Sequence, residues 1–194
     1  MILGLDISTS ITGFAVIADG VLVYYDSIDL RKHKSVFAKT IEIKEKLMDI
    51  YEMYQCDNDF FIPVSSERPI EHIYIEQPFT FFNSGGSSAK TMATLQRFNG
   101  IVSWLIYELF EIEPQYVGAT TARKLCGIKV PRGQKAKQVV LEHLLEHEPE
   151  FKIEHTIHGN PKPKSYDRAD AIVVAKAGYI TEQKKKINFS PGAE

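Results

Sequence analysis

The stretch that most narrows what this chain can fold into is DRADAIVVAKAG, residues 167 to 178. At helical spacing Asp170, Ala171, Val174, Ala177 and Gly178 share one stripe, and a stripe of small apolar residues faces a core. Asp167 lies one turn earlier on the same stripe. A helix that opens its buried face with two carboxylates needs a reason. One reason is local: Asp167 as the N-cap with Asp170 three residues on, a variant of the capping box. The other is that both acids share a cation with carboxylates elsewhere.

Two further acids stand where core is expected. Residues 2 to 8 alternate around Leu3, Leu5 and Ile7, which turns Asp6 and Ser8 to the opposite face of a strand. In IEHIYIEQP, Ile73 and Ile75 share one face and Tyr74 and Glu76 the other, and Pro78 then stops the ladder. Each acid has an ordinary explanation, solvation at a strand end or a favourable helix dipole. Four together would repel one another unless something positive sat among them. Hard oxygen ligands select Mg²⁺ or Mn²⁺ rather than zinc. Two such ions about 3.5–4 Å apart would neutralise Asp6, Glu76, Asp167 and Asp170 and clamp a phosphodiester for in-line hydrolysis.

The order of elements fits such a site. After the first strand, a polar turn leads to a second near 12 to 18, and ADG signals a hairpin into a third, VLVYYDSI. A long helix follows with Phe37, Ile41, Lys44, Leu47, Met48, Tyr51 and Tyr54 expected along its inner side. Residues 56 to 69 read as a loop before the Glu76 strand. A helix is expected from 88 to 110, a fifth strand at PQYVGA closed by Thr120 as a cap, helices near 120 to 126 and 134 to 147, and a last helix over 166 to 182. Three antiparallel-type strands followed by alternating helices and strands make an α/β chain with a mixed sheet.

The totals exclude several classes. At 194 residues the chain is expected to form one domain with a full core. No stretch approaches the roughly 18 unbroken apolar residues of a membrane span, and MILGLDIST has no basic n-region, so it does not read as a signal peptide. Cys56 and Cys126 form no CxxC pair, which points to a reducing cytoplasm. A net charge of −2 argues against a surface that binds nucleic acid all over. Basic residues nonetheless gather at 31 to 39, from Arg123 to Lys137, at Lys162 and Lys164, and at Lys184 to Lys186, which leaves room for one basic face, although charge runs are usually just solvated faces.

GLDISTSITGFAVI, IYIEQPF and DRADAIVVAKAG together resemble the RuvC family of Holliday junction resolvases, within the RNase H-like nucleases. The resemblance runs in order over nearly the whole chain. It implies an RNase H-like fold, a five-stranded mixed sheet flanked by helices over residues 1 to 183, with 184 to 194 left as a basic, flexible tail. It implies a Mg²⁺- or Mn²⁺-dependent endonuclease with two ions per site that resolves four-way DNA junctions by symmetric paired nicks, in recombination and repair. By motif, Asp6 matches the first-strand acid, Glu76 the fourth-strand acid, and Asp167 and Asp170 the last-helix pair. Phe79 falls where the family carries an aromatic that wedges against bases at the junction centre. Arg123, Lys124, Arg132, Lys135 and Lys137 fall where it contacts DNA backbone. LQRFNG is similar to the family's dimer-forming helix, so a homodimer joined through 88 to 110 is implied. Ile7 and Ser8 follow Asp6 where bacterial members carry Pro-Gly, and the regions 56 to 69 and 148 to 164 look longer, features of a divergent branch, viral or organellar. A viral member would act in the host-cell cytoplasm.

Other readings compete. An actin-like or sugar-kinase ATPase also opens with a motif like GLDISTSITGFAV, but needs two lobes and a second Gly-rich phosphate loop. A non-catalytic binder of branched DNA would have no need of all four acids. Another RNase H-like nuclease, acting on branched DNA or RNA–DNA hybrids, stays open. HLLEH, His143 to His147, matches a zinc-protease pattern, yet lies on a short charged helix with no clear third ligand, even with His155 and His158 considered. It reads as a solvated face.

Overall fold

The computed structural model describes residues 1–55, 69–78 and 89–189. Among them five strands, β1 (Ile2–Asp6), β2 (Ile11–Ala18), β3 (Val21–Asp29), β4 (His72–Glu76) and β5 (Gln115–Val117), form one sheet in the order β3-β2-β1-β4-β5. The helices are α1 (Val36–Tyr54), α2 (Ala89–Phe110), α3 (Ala119–Leu125), α4 (Ala136–His147) and α5 (Lys164–Phe189). β1 to β3 are antiparallel neighbours, while β4 runs parallel to β1 and β5 parallel to β4. The mixed α/β sheet is therefore as expected. The β2–β3 hairpin turns on Asp19 (φ 49) and Gly20 (φ 86), both left-handed, the backbone that a tight two-residue hairpin requires.

Side-chain alternation sends each strand's residues to two different cores. Leu3, Leu5, Ile7, Phe14, Val16, Ile73 and Ile75 pack under α1 and α2. Ile2, Ala15, Ile17 and Tyr74 face α5, which α3 and α4 flank. Asp6 continues the second set past Gly4, and Glu76 continues it past Tyr74.

Small residues set how closely α5 lies on the sheet. A Cβ on Gly4 would stand 2.6 Å from Ala175 Cα, and one on Gly178 would stand 2.8 Å from Cγ of Tyr74. Ala171, Val174 and Ala177 are fully buried between them, so the stripe read from the sequence is the one that packs.

Several expectations need correction. α5 begins at Lys164, so Asp167 lies within its first turn and is not the N-cap. The same helix runs on to Phe189, so Lys184 to Lys186 ride on helix, while the rest of the expected tail, 190 to 194, lies outside the described residues. α3 starts at Ala119 after Gly118, which puts Thr120 inside the helix instead of at its cap. On α1 the inner stripe is Ile43, Leu47 and Ile50, while Phe37 is 74% and Ile41 59% exposed. Two apolar stripes compete on that helix. The one through Phe37 and Ile41 would also bury Lys44, and the uninterrupted aliphatic stripe wins.

Candidate active site

Asp6 is the last residue of β1 and Glu76 the last of β4. The two strands are in parallel register from Ile2 beside His72 to Leu5 beside Ile75. One step further along both sets Asp6 beside Glu76, on the face that α5 covers. The first turns of α5 cross this end of the sheet: a Cβ on Gly13 of β2 would stand 2.7 Å from the carbonyl carbon of Asp167. Asp167 and Asp170, one helical turn apart, are thereby brought to the two strand-end acids.

The electrostatics express this proximity. Burial, the charge of Glu76 and the charge of Asp170 push the Asp6 carboxyl well above the usual carboxylate range. Burial and Asp170 push Glu76 up to about 7, against the pull of Lys137 and Arg123. Burial likewise raises Asp170, outweighing the Lys137 ammonium beside it. Lys137 Nζ lies 3.1 Å from Asp167 Oδ1 and 3.3 Å from Asp170 Oδ2. Burial disfavours its charge, but Asp170, Asp167 and Asp6 more than compensate and hold the ammonium charged above the ordinary lysine range.

A divalent cation suits this donor set. The oxygens are hard, and one ammonium leaves most of the negative charge of four desolvated acids uncompensated. Among the described residues, no three Asp, Glu, His or Cys side chains are drawn close enough to enclose an ion as they stand. His143 and His147 stack on each other at 4.2 Å on α4, again without a third ligand among the described residues.

Of the basic candidates, Arg123 and Lys137 border the acids. Arg123 and Lys124, on α3, line a cavity of about 280 Å³ together with Thr120, Ile128, Lys129 and Val130. Arg123 is near enough to Glu76 and Asp170 to favour their ionised forms. Arg132 and Lys135 are exposed on the turn leading to α4, and Lys137 is on that helix. Phe79 lies outside the described residues.

Two supporting residues were not singled out in the sequence. Arg168, between the two α5 acids, donates to Ser27 Oγ at 3.0 Å and Asp26 Oδ1 at 2.9 Å, tying the start of α5 to β3. Burial works against the Asp26 charge, but hydrogen bonds from Lys46, the Ser27 backbone and Arg168 keep its carboxyl below the usual range. Asn99 of α2, buried, makes a long 3.5 Å bond to the carbonyl of Ile7, next to Asp6. The Arg in DRAD was the available signal for the first, since a charge beside a buried stripe needs a partner. Asn99 gave none.

No family model and no curated protein matches the chain in sequence. Solved structures do match. RuvC of Thermus thermophilus, in complex with a Holliday junction substrate, superposes with TM-score 0.62 at 13% identity, over 94% of each chain. The fold is that of RuvC. A second structure of Thermus thermophilus RuvC gives TM-score 0.59 at 15% identity over 95% of this chain and 96% of that one. The yeast mitochondrial Holliday junction resolvase Ydc2 gives 0.57 at 14% identity over 97% of this chain and 82% of that one. The RuvC-like, RNase H-like architecture thus extends over nearly the whole chain.

Proposed function

We propose that this chain is a structure-selective endonuclease that resolves four-way DNA junctions by paired nicks. The observation that carries the reading is the convergence of Asp6, Glu76, Asp167 and Asp170 at one end of the sheet, from three separate elements, on a fold shared with Holliday junction resolvases. Mg²⁺ or Mn²⁺ held by these acids would supply an activated water and neutralise the leaving 3′-oxygen. The chain's own part is to hold the acids in place and the phosphate against them. Asp6 and Glu76 sit on adjacent parallel strands, which fixes their separation by the strand spacing. Arg123 offers a cation beside them, and Lys124 lines the same cavity as Arg123, for the neighbouring phosphates. Nicking of synthetic four-way junctions under a Mg²⁺ or Mn²⁺ titration, against RNA–DNA hybrids and nicked duplexes, tests the assignment. Preference for hybrids would move the chain to another RNase H-like activity.

Asp167 is the acid with the most local alternative, since an acid in the first helical turn is favoured by the dipole alone. Asp167→Asn keeps the shape and removes the charge. As a ligand it should lose about 100-fold or more in cleavage rate, the scale of a lost transition-state contact. Full activity in single-turnover nicking would leave a three-acid centre.

A two-fold substrate calls for a two-fold enzyme, and α2 supplies the surface for a homodimer. Its inner side buries Phe98, Val102, Ile106 and Phe110, while Trp104 (64% exposed) and Tyr107 (48%) form a tilted aromatic pair on the outer side. Trp104→Glu should raise the dimer dissociation constant by about 30-fold or more, as for an aromatic hot spot, and uncouple the two nicks. Unchanged sedimentation would place the interface elsewhere.

A further inference from the structure

Lys137 differs from the other basic residues beside the acids in what it touches. Its side chain is 58% exposed, whereas those of Asp167 and Asp170 are 13% and 17% exposed. The stem therefore comes in from solvent and only the tip is lodged among the carboxylates. Withdrawing it would disturb little packing, as for any long cationic side chain that reaches along a surface. From β1 and β4 its ammonium also acts on Asp6 and Glu76, and from α3 Arg123 acts on Glu76 and Asp170. A single ammonium thus serves four acids at the point where they converge. It also lies against oxygens that a divalent ion would need.

We propose that Lys137 is a built-in counter-cation: it holds the acidic centre together in the metal-free protein and is displaced from Asp167 and Asp170 as divalent ions load. The inference rests on the metal-binding reading of the four acids. Two consequences follow from competition for the same oxygens. Metal must break two ion pairs to bind, so the resident ammonium lowers metal affinity. Without the ammonium, the metal-free centre loses the ion pairs to Asp167 and Asp170 and keeps Arg123 near Glu76 and Asp170, so repulsion among the acids rises and destabilises the fold.

The test uses the full chain without DNA. Mn²⁺ titrations by calorimetry on the wild type, Lys137→Met, Lys137→Arg and Asp6→Asn would be read beside melting temperatures with and without Mn²⁺. Lys137→Met should bind Mn²⁺ about tenfold more tightly or better, the order expected for removing one competing charge near these oxygens. Its metal-free melting temperature should fall, and Mn²⁺ should restore it. Lys137→Arg, which keeps the charge, should stay near the wild type in both. Wild-type binding that Asp6→Asn weakens but Lys137→Met leaves unchanged or reduces would overturn the role of Lys137 and leave the metal reading standing. No Mn²⁺ binding by the wild type would overturn both.

Discussion

Asp6→Asn, Glu76→Gln and Asp170→Asn should each reduce junction cleavage by a factor on the order of 10³ or more, while junction binding stays within about threefold. Each replacement keeps side-chain volume and removes a charge that the centre needs to hold a cation. Binding survives because it depends on the basic surface, and one acid fewer repels the phosphates less. The same variants should change stability in a pH-dependent way. Glu76 is raised from 4.5 to about 7, chiefly by burial and then by Asp170. The folded, metal-free protein therefore holds a proton that the unfolded chain gives up at lower pH. The stability this contributes is fully present below about pH 4.5 and is lost as pH rises through about 7. Ionising Glu76 in place costs at most on the order of 3 kcal/mol. Glu76→Gln removes that cost, so without metal it should melt several degrees above the wild type at pH 8 and at the same temperature near pH 4. Melting curves that coincide at both pH values would mean that Glu76 is not desolvated. Cleavage retained in all three variants would remove the acids from catalysis.

Gly13→Ala should destroy activity through the backbone alone. The new Cβ would collide with the Asp167 carbonyl oxygen and stand 2.7 Å from its carbonyl carbon, with Ala171 Cβ at 3.1 Å. No side chain can swing aside, because the obstacle is the main chain of α5. The helix must lift off β2 at the turn that carries two of the four acids. Overpacking of this kind costs about 1–3 kcal/mol and sometimes more, and a backbone clash belongs at the upper end. The variant should melt well below the wild type, and cleavage should fall by far more than the folded fraction does. Gly100→Ala is the control. Nothing lies within 4 Å of a Cβ there, so ending a mid-helix glycine should stabilise α2 by roughly 0.5–1 kcal/mol. A Gly13→Ala protein with normal activity would show that α5 does not need its close seat on the sheet.

What the sequence made legible follows from periodicity. Strand alternation put Asp6 and Glu76 on the face opposite Leu5 and Ile75, and the structure keeps that division into two cores. The small-residue stripe from Ala171 to Gly178 was equally plain, because close packing of a helix on a sheet leaves few alternatives. Phe37 and Ile41 were harder, because two apolar stripes lie on α1 and the one through these residues also carries Lys44, whose burial would be costly. Lys137 is a different case. The resemblance set it among residues expected to meet DNA backbone, and nothing local in the sequence says that its ammonium also pairs with Asp167 and Asp170. Helix ends were hard too. The last helix was expected over 166 to 182, whereas α5 runs from Lys164 to Phe189 and leaves Asp167, one of the two readings of which was an N-cap, three residues inside it.

The acids of this site are spread from residue 6 to residue 170, and half of them travel on α5. A ribosome delivers them in that order. Until the segment beyond residue 164 has emerged, a nascent chain displays Asp6 and Glu76 on a sheet whose second face is still bare. It has too little negative charge to hold a cation and no helix to hold it against. Docking α5 closes the core over β1, β2 and β4 and supplies the missing carboxylates in one event. On the proposed function, a half-synthesised chain would have no complete acidic centre, and on refolding any power to nick DNA would be gained at the step that seats α5, and not before.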